Sequence, residues 1–241
     1  MKILEDLLAH LTPKKEAVRD IIVGAHWTAV LTRGCGLASM MGDPHPHKGP
    51  SVRDAGNLVE KGIAELMNLA RSEMLLEASI GMATINSLIE IDEDRCSEIN
   101  AFDVLAQQGA GKDVGIIGHF PFVPKLKEIA RNLWVIEQRP RPGDLEADRA
   151  ADILPQCQVV GITSTSFINH TLESLLDVCR DAFVMLLGPT TPFTSLLFDY
   201  GIDALSGTKV VDESRVIRHV KEGATFQQIH HAGVRLLTMT R

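Results

Sequence analysis

In the second half of the chain four unbroken apolar runs each stop at a cluster of Gly, Pro, Thr, Ser or a charged residue. VGIIG (114–118) precedes HFP, LWVIE (133–137) precedes QRP, VVGIT (159–163) precedes STSFIN, and FVMLLG (183–188) precedes PTTP. Short apolar runs without polar alternation predict parallel strands covered on both faces. Helical patterns lie before, between and after them, at 103–108, 125–131, 195–199 and 212–222. Another follows VVGIT, with Leu172, Leu175, Leu176 and Cys179 at helical spacing. This βαβ rhythm predicts an open α/β sheet with helices on both faces. Ligands of such sheets bind beyond the carboxyl ends of the strands, so the four junctions are the expected working surface.

The first half has a different texture. An amphipathic helix opens it, with Leu4, Leu7, Leu8 and Leu11 on one face. Short strand signals follow over 18–41 (DIIVG, WTAVLT, CGLASMM), punctuated by Gly24 and Arg33-Gly34, and predict a small antiparallel unit. The turn-rich stretch 42–51 reads as a loop. Helical patterns occupy 64–71 and 73–90, and the second is apolar around most of its circumference. Core burial and a dimer interface both explain such a helix. The polar stretch 92–98 is the candidate boundary. It gives a small α+β domain over 1–98 and a Rossmann-like parallel-sheet domain over 99–241.

The junctions offer specific chemistry. A dinucleotide fingerprint would place G-x-G-x-x-G after the first parallel strand, but only Gly115 and Gly118 are present, followed by His119-Phe120-Pro121. Close backbone approach to a diphosphate is therefore not expected. Glu137 ends the second run, where an acidic residue commonly holds a ribose hydroxyl pair; the alternative is a solvated carboxylate paired with Arg139 or Arg141. His119 reads equally as an acid/base group, a metal ligand or a turn residue. TSTSFINHT (163–171) clusters hydroxyls at a predicted helix entry, a cradle for carboxylate or phosphate, or simple capping by Ser166 or Asn169. GPTTP (188–192) is a rigid turn with two hydroxyls. QGAGKD (108–113) precedes a strand and so is no phosphate loop. Asp43-Pro-His45-Pro-His47 has metal-ligand spacing but sits in a Pro-rich loop.

Composition narrows the partners. A net charge of −7 argues against a broad nucleic-acid footprint, and an aromatic content of 5% against base-stacking platforms. No apolar stretch approaches membrane-spanning length, and the N-terminus lacks a signal-peptide core, so no membrane partner is expected. The four cysteines form no C-x-x-C pair and read as reduced thiols of a cytoplasmic protein, not as a closed metal site. The expected partner is a small molecule, with homo-oligomerisation open.

GHFPF, E-x-R-P, ITSTSFINHTL and LLGPTTP together resemble a bacterial and archaeal domain-of-unknown-function family, known as a putative heavy-metal chelation domain. IGMATIN (80–86) and CGLAS (35–39) resemble that family's first domain. The resemblance implies an enolase-N-terminal-like domain paired with a Rossmann-like one, and a cleft between them. One wall would carry Gly118, His119, Phe120, Pro121, Glu137, Thr163, Ser164, Thr165 and Asn169. Gly188, Pro189, Thr190 and Thr191 would close it, with Ser39 and Asn86 reaching in from the first domain. It also implies a divalent metal or metal chelate as ligand or cofactor. Two classes of function are then open. One is an enzyme that processes an anionic or metal-chelating ligand, with His119 and Glu137 as catalytic groups. The other is a non-catalytic carrier or sensor of a metal chelate or nucleotide-like metabolite.

Overall fold

The computed structural model describes residues 1–11, 16–42 and 50–241; the Asp43/His45/His47 motif lies outside them. The chain opens with α1 (Lys2–His10) and a three-stranded antiparallel sheet, β1 (Asp20–Val23), β2 (Trp27–Leu31) and β3 (Cys35–Ser39). Side chains alternate across these strands. Val30 and Ala38 face one core, while Ile22, Trp27, Ala29 and Leu37 face another. Against the first face lie α2 (Ile63–Asn68) and α3 (Leu75–Leu88). The apolar helix predicted over 73–90 is α3, buried along nearly its whole length inside this single chain, so core burial accounts for its composition. It approaches β3 closely because Gly36 has no side chain: a Cβ there would lie 2.1 Å from Ala83 O and 2.3 Å from Ser87 N.

The second sheet begins inside the predicted boundary. β4 (Cys96–Ser97) is followed by α4 (Ala101–Gly109), β5 (Asp113–Ile117), α5 (Val123–Ile129), β6 (Asn132–Glu137), β7 (Leu145–Glu146) and α6 (Ala150–Ile153). The chain continues through β8 (Val159–Thr163), α7 (Leu172–Asp177), β9 (Phe183–Leu187), β10 (Ala204–Val210), α8 (Glu213–Lys221), α9 (Phe226–Gly233) and β11 (Val234–Thr240). The sheet order is β4-β11-β10-β9-β8-β5-β6-β7, parallel from β10 to β7 and antiparallel where β11 joins β10 and β4. The four predicted runs are β5, β6, β8 and β9, adjacent and parallel.

Alternation along these strands builds two cores, one on each face. Val114, Ile116, Val159, Met185 and Leu187 meet α4 and α5, whereas Val160, Ile162, Val184 and Leu186 belong to the core shared with α3 and α7. Burial on both faces is why the strands are apolar throughout. Helices α8 and α9 meet this sheet only at its β10–β11 end, through Val210 and Val234, while Val216, Val220, Ile229 and Ala232 also pack with the outer face of the small sheet. Among the described residues no helix is long and apolar enough to cross a membrane.

Candidate functional site

The first parallel strand in the chain, β5, lies mid-sheet, with β6 and β7 added on one side and β8, β9 and β10 on the other. This is the doubly wound order with its switch point between β5 and β8, where connections leave in opposite directions and open a crevice. Two cavities meet there. One, of about 470 Å³, opens beside α6 and α7; the other, of about 600 Å³, opens beside α4 and α5. His119 and Phe120 line both, so the turn after β5 is a wall between them. Gly118 makes that turn: its φ is +102°, and an added Cβ would sit 3.0 Å from Thr163 Cβ. Only glycine adopts this conformation without strain.

The first cavity combines polar groups with an apolar wall. Glu137 reaches it from the end of β6; its Oε2 accepts from the Gln138 N–H at 3.1 Å, with no further hydrogen bond to the carboxylate among the described residues. His119 Nδ1 stands 3.4 Å from Asp144 Oδ2, within reach of an ion pair but longer than a good hydrogen bond. The Arg141 N–H donates to the same oxygen at 3.0 Å and fixes the carboxylate, which is nearly buried. The sequence reading missed Asp144. Its signal was a Pro-Gly-Asp turn in the connection that caps β6. Thr163 Oγ1 and Thr165 Oγ1 hydrogen-bond each other at 3.0 Å. Asn169 Oδ1 accepts from the Thr171 hydroxyl at 2.7 Å, leaving its amide hydrogens unengaged among the described residues.

The segment after β8 differs from the expected helix entry. It forms a 3-10 turn over Ser164–Phe167, His170 takes φ +58°, and α7 starts only at Leu172. Ser164 and Ser166 hydroxyls are buried without hydrogen-bond partners among the described residues and line neither cavity. Of the predicted hydroxyl cradle, Thr163, Thr165 and Thr171 line the first cavity.

The remaining predicted residues divide cleanly. Pro121, Gly188 and Pro189 line the second cavity with His119 and Phe120. Ser39, Asn86, Thr190 and Thr191 line neither. They form a seam between the small sheet, α3 and the turn after β9. The Ser39 N–H donates to Thr190 Oγ1 at 2.9 Å, and Asn86 Nδ2 donates to Leu37 O at 2.9 Å and Thr190 O at 3.1 Å. The Thr191 hydroxyl donates to Ser206 O at 3.0 Å. The first half contributes Met41 to the first cavity and Trp27 to the second.

Residues 100–239 match a family model described as "Putative heavy-metal chelation" (DUF364), and residues 4–89 match a second model of the same description (DUF4213). This chain belongs to the DUF364 family. A DUF364 protein of unknown function from Desulfitobacterium hafniense has a solved structure that superposes with a TM-score of 0.84 at 27% identity, covering 100% of this chain and 98% of that one. Another, from Pyrococcus horikoshii, gives 0.81 at 21% identity with the same coverage and bears on the fold alone. An uncharacterised protein of Methanocaldococcus jannaschii is 26% identical over 171 residues, 68% of this chain and 66% of that one. The match thus spans just under two thirds of that relative.

The family description raises the question of whether this chain's own donors fit a heavy metal. Burial pushes the Cys35 and Cys179 thiols up to about 12 and that of Cys157 to about 11, so none offers a thiolate near neutrality. Among the described residues no group of three His, Cys, Asp or Glu side chains comes together in a way that could hold a metal ion. The described donor set does not fit a metal held by the protein alone.

Proposed function

We propose that this protein binds, in the first cavity, a small metabolite presenting vicinal hydroxyl groups, with Glu137 accepting from the hydroxyl pair and His119 beside it as the acid/base group. The observation that carries the reading is the position of Glu137. It ends the second parallel strand next to the switch point, where a carboxylate in this fold pairs with a diol, and its only partner among the described residues is a neighbouring backbone N–H. Vicinal oxygens are common to a ribose and to oxygen-donor chelators, which connects the reading to the family description. A metal would then enter as part of the ligand. Of the anionic or metal-chelating ligand expected from sequence, the lining supports a neutral or metal-bearing one over a free anion. It holds Glu137 and Asp148, and neither Lys nor Arg.

His119, with the Asp144 carboxylate beside it, supports proton transfer at a bound hydroxyl. The 3.4 Å gap between them favours a second reading, a carrier or sensor in which the imidazole only donates a hydrogen bond. Calorimetric titration with adenosine, 2′-deoxyadenosine and zinc gluconate tests the site. Saturable binding of adenosine or zinc gluconate is expected, weaker by at least about tenfold in Glu137→Ala, with 2′-deoxyadenosine weakened likewise. Adenosine and zinc gluconate both failing to bind at millimolar concentration, or binding indifferent to Glu137, would sink the reading. A solvent-exchange or turnover signal from a bound ligand, lost in His119→Ala while binding persists, separates enzyme from carrier.

A further inference from the structure

We infer that the second cavity is a binding site for a planar aromatic acid, its ring seated among two groups of aromatic side chains and its negative group at Lys125. The chain is poor in aromatics, yet four of its eight phenylalanines and one of its two tryptophans line this cavity. They arrive from four separated segments. Phe120 and Phe122 stack with centroids 5.2 Å apart and planes 7° from parallel, and Phe102 leans on Phe122 at 5.9 Å. Trp27 and Phe226 form the second group, 5.8 Å apart. Among the described residues no ring of one group contacts a ring of the other, and both face the same space.

The four phenylalanines are only partly buried: Phe102, Phe120 and Phe122 pack at the edge of the core under α4 and α5, and Phe226 at the edge of the core under α8 and α9, and all four line the cavity. Partly exposed rings gathered in a concavity of this size are the usual lining of a small-molecule site. The indole N–H of Trp27 donates to Ala224 O at 2.8 Å, so its polar edge is satisfied within the protein. Offset or edge-on packing against these rings suits a flat aromatic ligand better than a branched aliphatic one.

Charge selects the rest of the ligand. No Asp or Glu lines this cavity; its ionisable residues are His119 and Lys125. Lys125, in the first turn of α5, is exposed, and its ammonium makes no ion pair or hydrogen bond among the described residues. An unpaired ammonium at the rim of an aromatic cavity recognises an anionic substituent such as a carboxylate.

The test is calorimetric titration of the full chain with 2-naphthoate and with 2-naphthalenemethanol, its neutral counterpart. The acid is expected to bind with Kd below about 1 mM and several-fold more tightly than the alcohol. Phe102→Leu and Phe226→Leu, which keep aliphatic bulk, should each weaken it by about fivefold or more. Lys125→Ala should bring the acid down to the affinity of the alcohol. Each variant is read on protein whose circular dichroism and melting match the wild type. Absence of saturable binding at 5 mM ligand (about 3 kcal/mol of standard affinity) would overturn the inference. So would binding untouched by both Leu variants combined, or an acid and alcohol that bind alike in the wild type. The experiment uses neither Glu137 nor a diol, so its result and that of the first-cavity titrations are independent.

Discussion

The two cavities share a wall and almost nothing else. On the α6/α7 side the lining is acidic and hydroxylated, with Glu137, Asp148, Thr163 and Thr165. On the α4/α5 side it is aromatic, and its only ionisable groups are basic. The contrast follows from the sheet. Each cavity sits above one face, and side chains that alternate along β5, β8 and β9 feed opposite cores. A single turn, Gly118-His119-Phe120, therefore presents one chemistry to each side. Strand ends alone do not fix what such a fold binds; the helices and loops that overhang each face do.

The most severe way to break this contrast is to move the wall itself. Gly118→Val places a β-branched residue at φ +102° with its Cβ against Thr163. It should cost about 2 kcal/mol in chemical denaturation and abolish binding on both sides. Loss confined to one side would mean that the turn is not a common wall. A gentler change acts from behind the second cavity only. Asn86→Ala removes the donors to Leu37 O and Thr190 O and loosens the turn that carries Gly188 and Pro189. The buried Asn86 Oδ1 has no partner among the described residues, so its removal offsets part of the loss. A net destabilisation of about 1 kcal/mol is expected, with 2-naphthoate weakened and adenosine unaffected.

A third change tests the first side through pH. Burial would raise the Glu77 carboxyl, but hydrogen bonds from the Arg53 side chain, Ser72 Oγ and the Arg53 N–H outweigh it and hold it down at about 2. Ser72 O in turn meets His170 Nε2 at 3.0 Å, next to Asn169 of the first cavity. A folded-state value below the unfolded one means that this stabilisation is complete above the ordinary carboxyl range near 4.5. It is lost as pH falls from there through about 2. The stability gap between wild type and Glu77→Gln, measured by urea denaturation, should be constant above pH 5 and close as pH falls below it. A gap that widens in acid would contradict the assignment.

The doubly wound sheet was legible because parallel strands buried on both faces leave an uninterrupted apolar signature. The same runs put His119 and Glu137 at strand ends; the strand order, which the runs do not give, brings both to one crevice. The two-residue strands β4 and β7 carry too few positions for any periodicity. The antiparallel β11, whose burial runs from Val234 to Met239, mixes charged and apolar residues because it lies near the sheet edge. The aromatic cavity was invisible for a different reason. Trp27, Phe102, the Phe120/Phe122 pair and Phe226 lie far apart in sequence; Phe102 meets Phe122 where α4 packs on α5, and Phe226 meets Trp27 where α9 reaches the small sheet. Asn86, Ser39 and Thr190 were read as reaching for a ligand, and their hydrogen bonds run to one another's backbones and hydroxyls. A polar side chain beside a strand end carries the same letter whether it faces a cavity or a seam.

The thinness of the shared wall has a thermodynamic consequence. An occupant on one side that prefers one rotamer of His119 or Phe120 changes the space offered on the other, and such coupling is reciprocal. Whatever factor a bound diol imposes on the affinity for an aromatic acid, the acid must impose on the diol. Two molecules recognised by different chemistry would then read each other's presence through a single imidazole and a single phenyl ring.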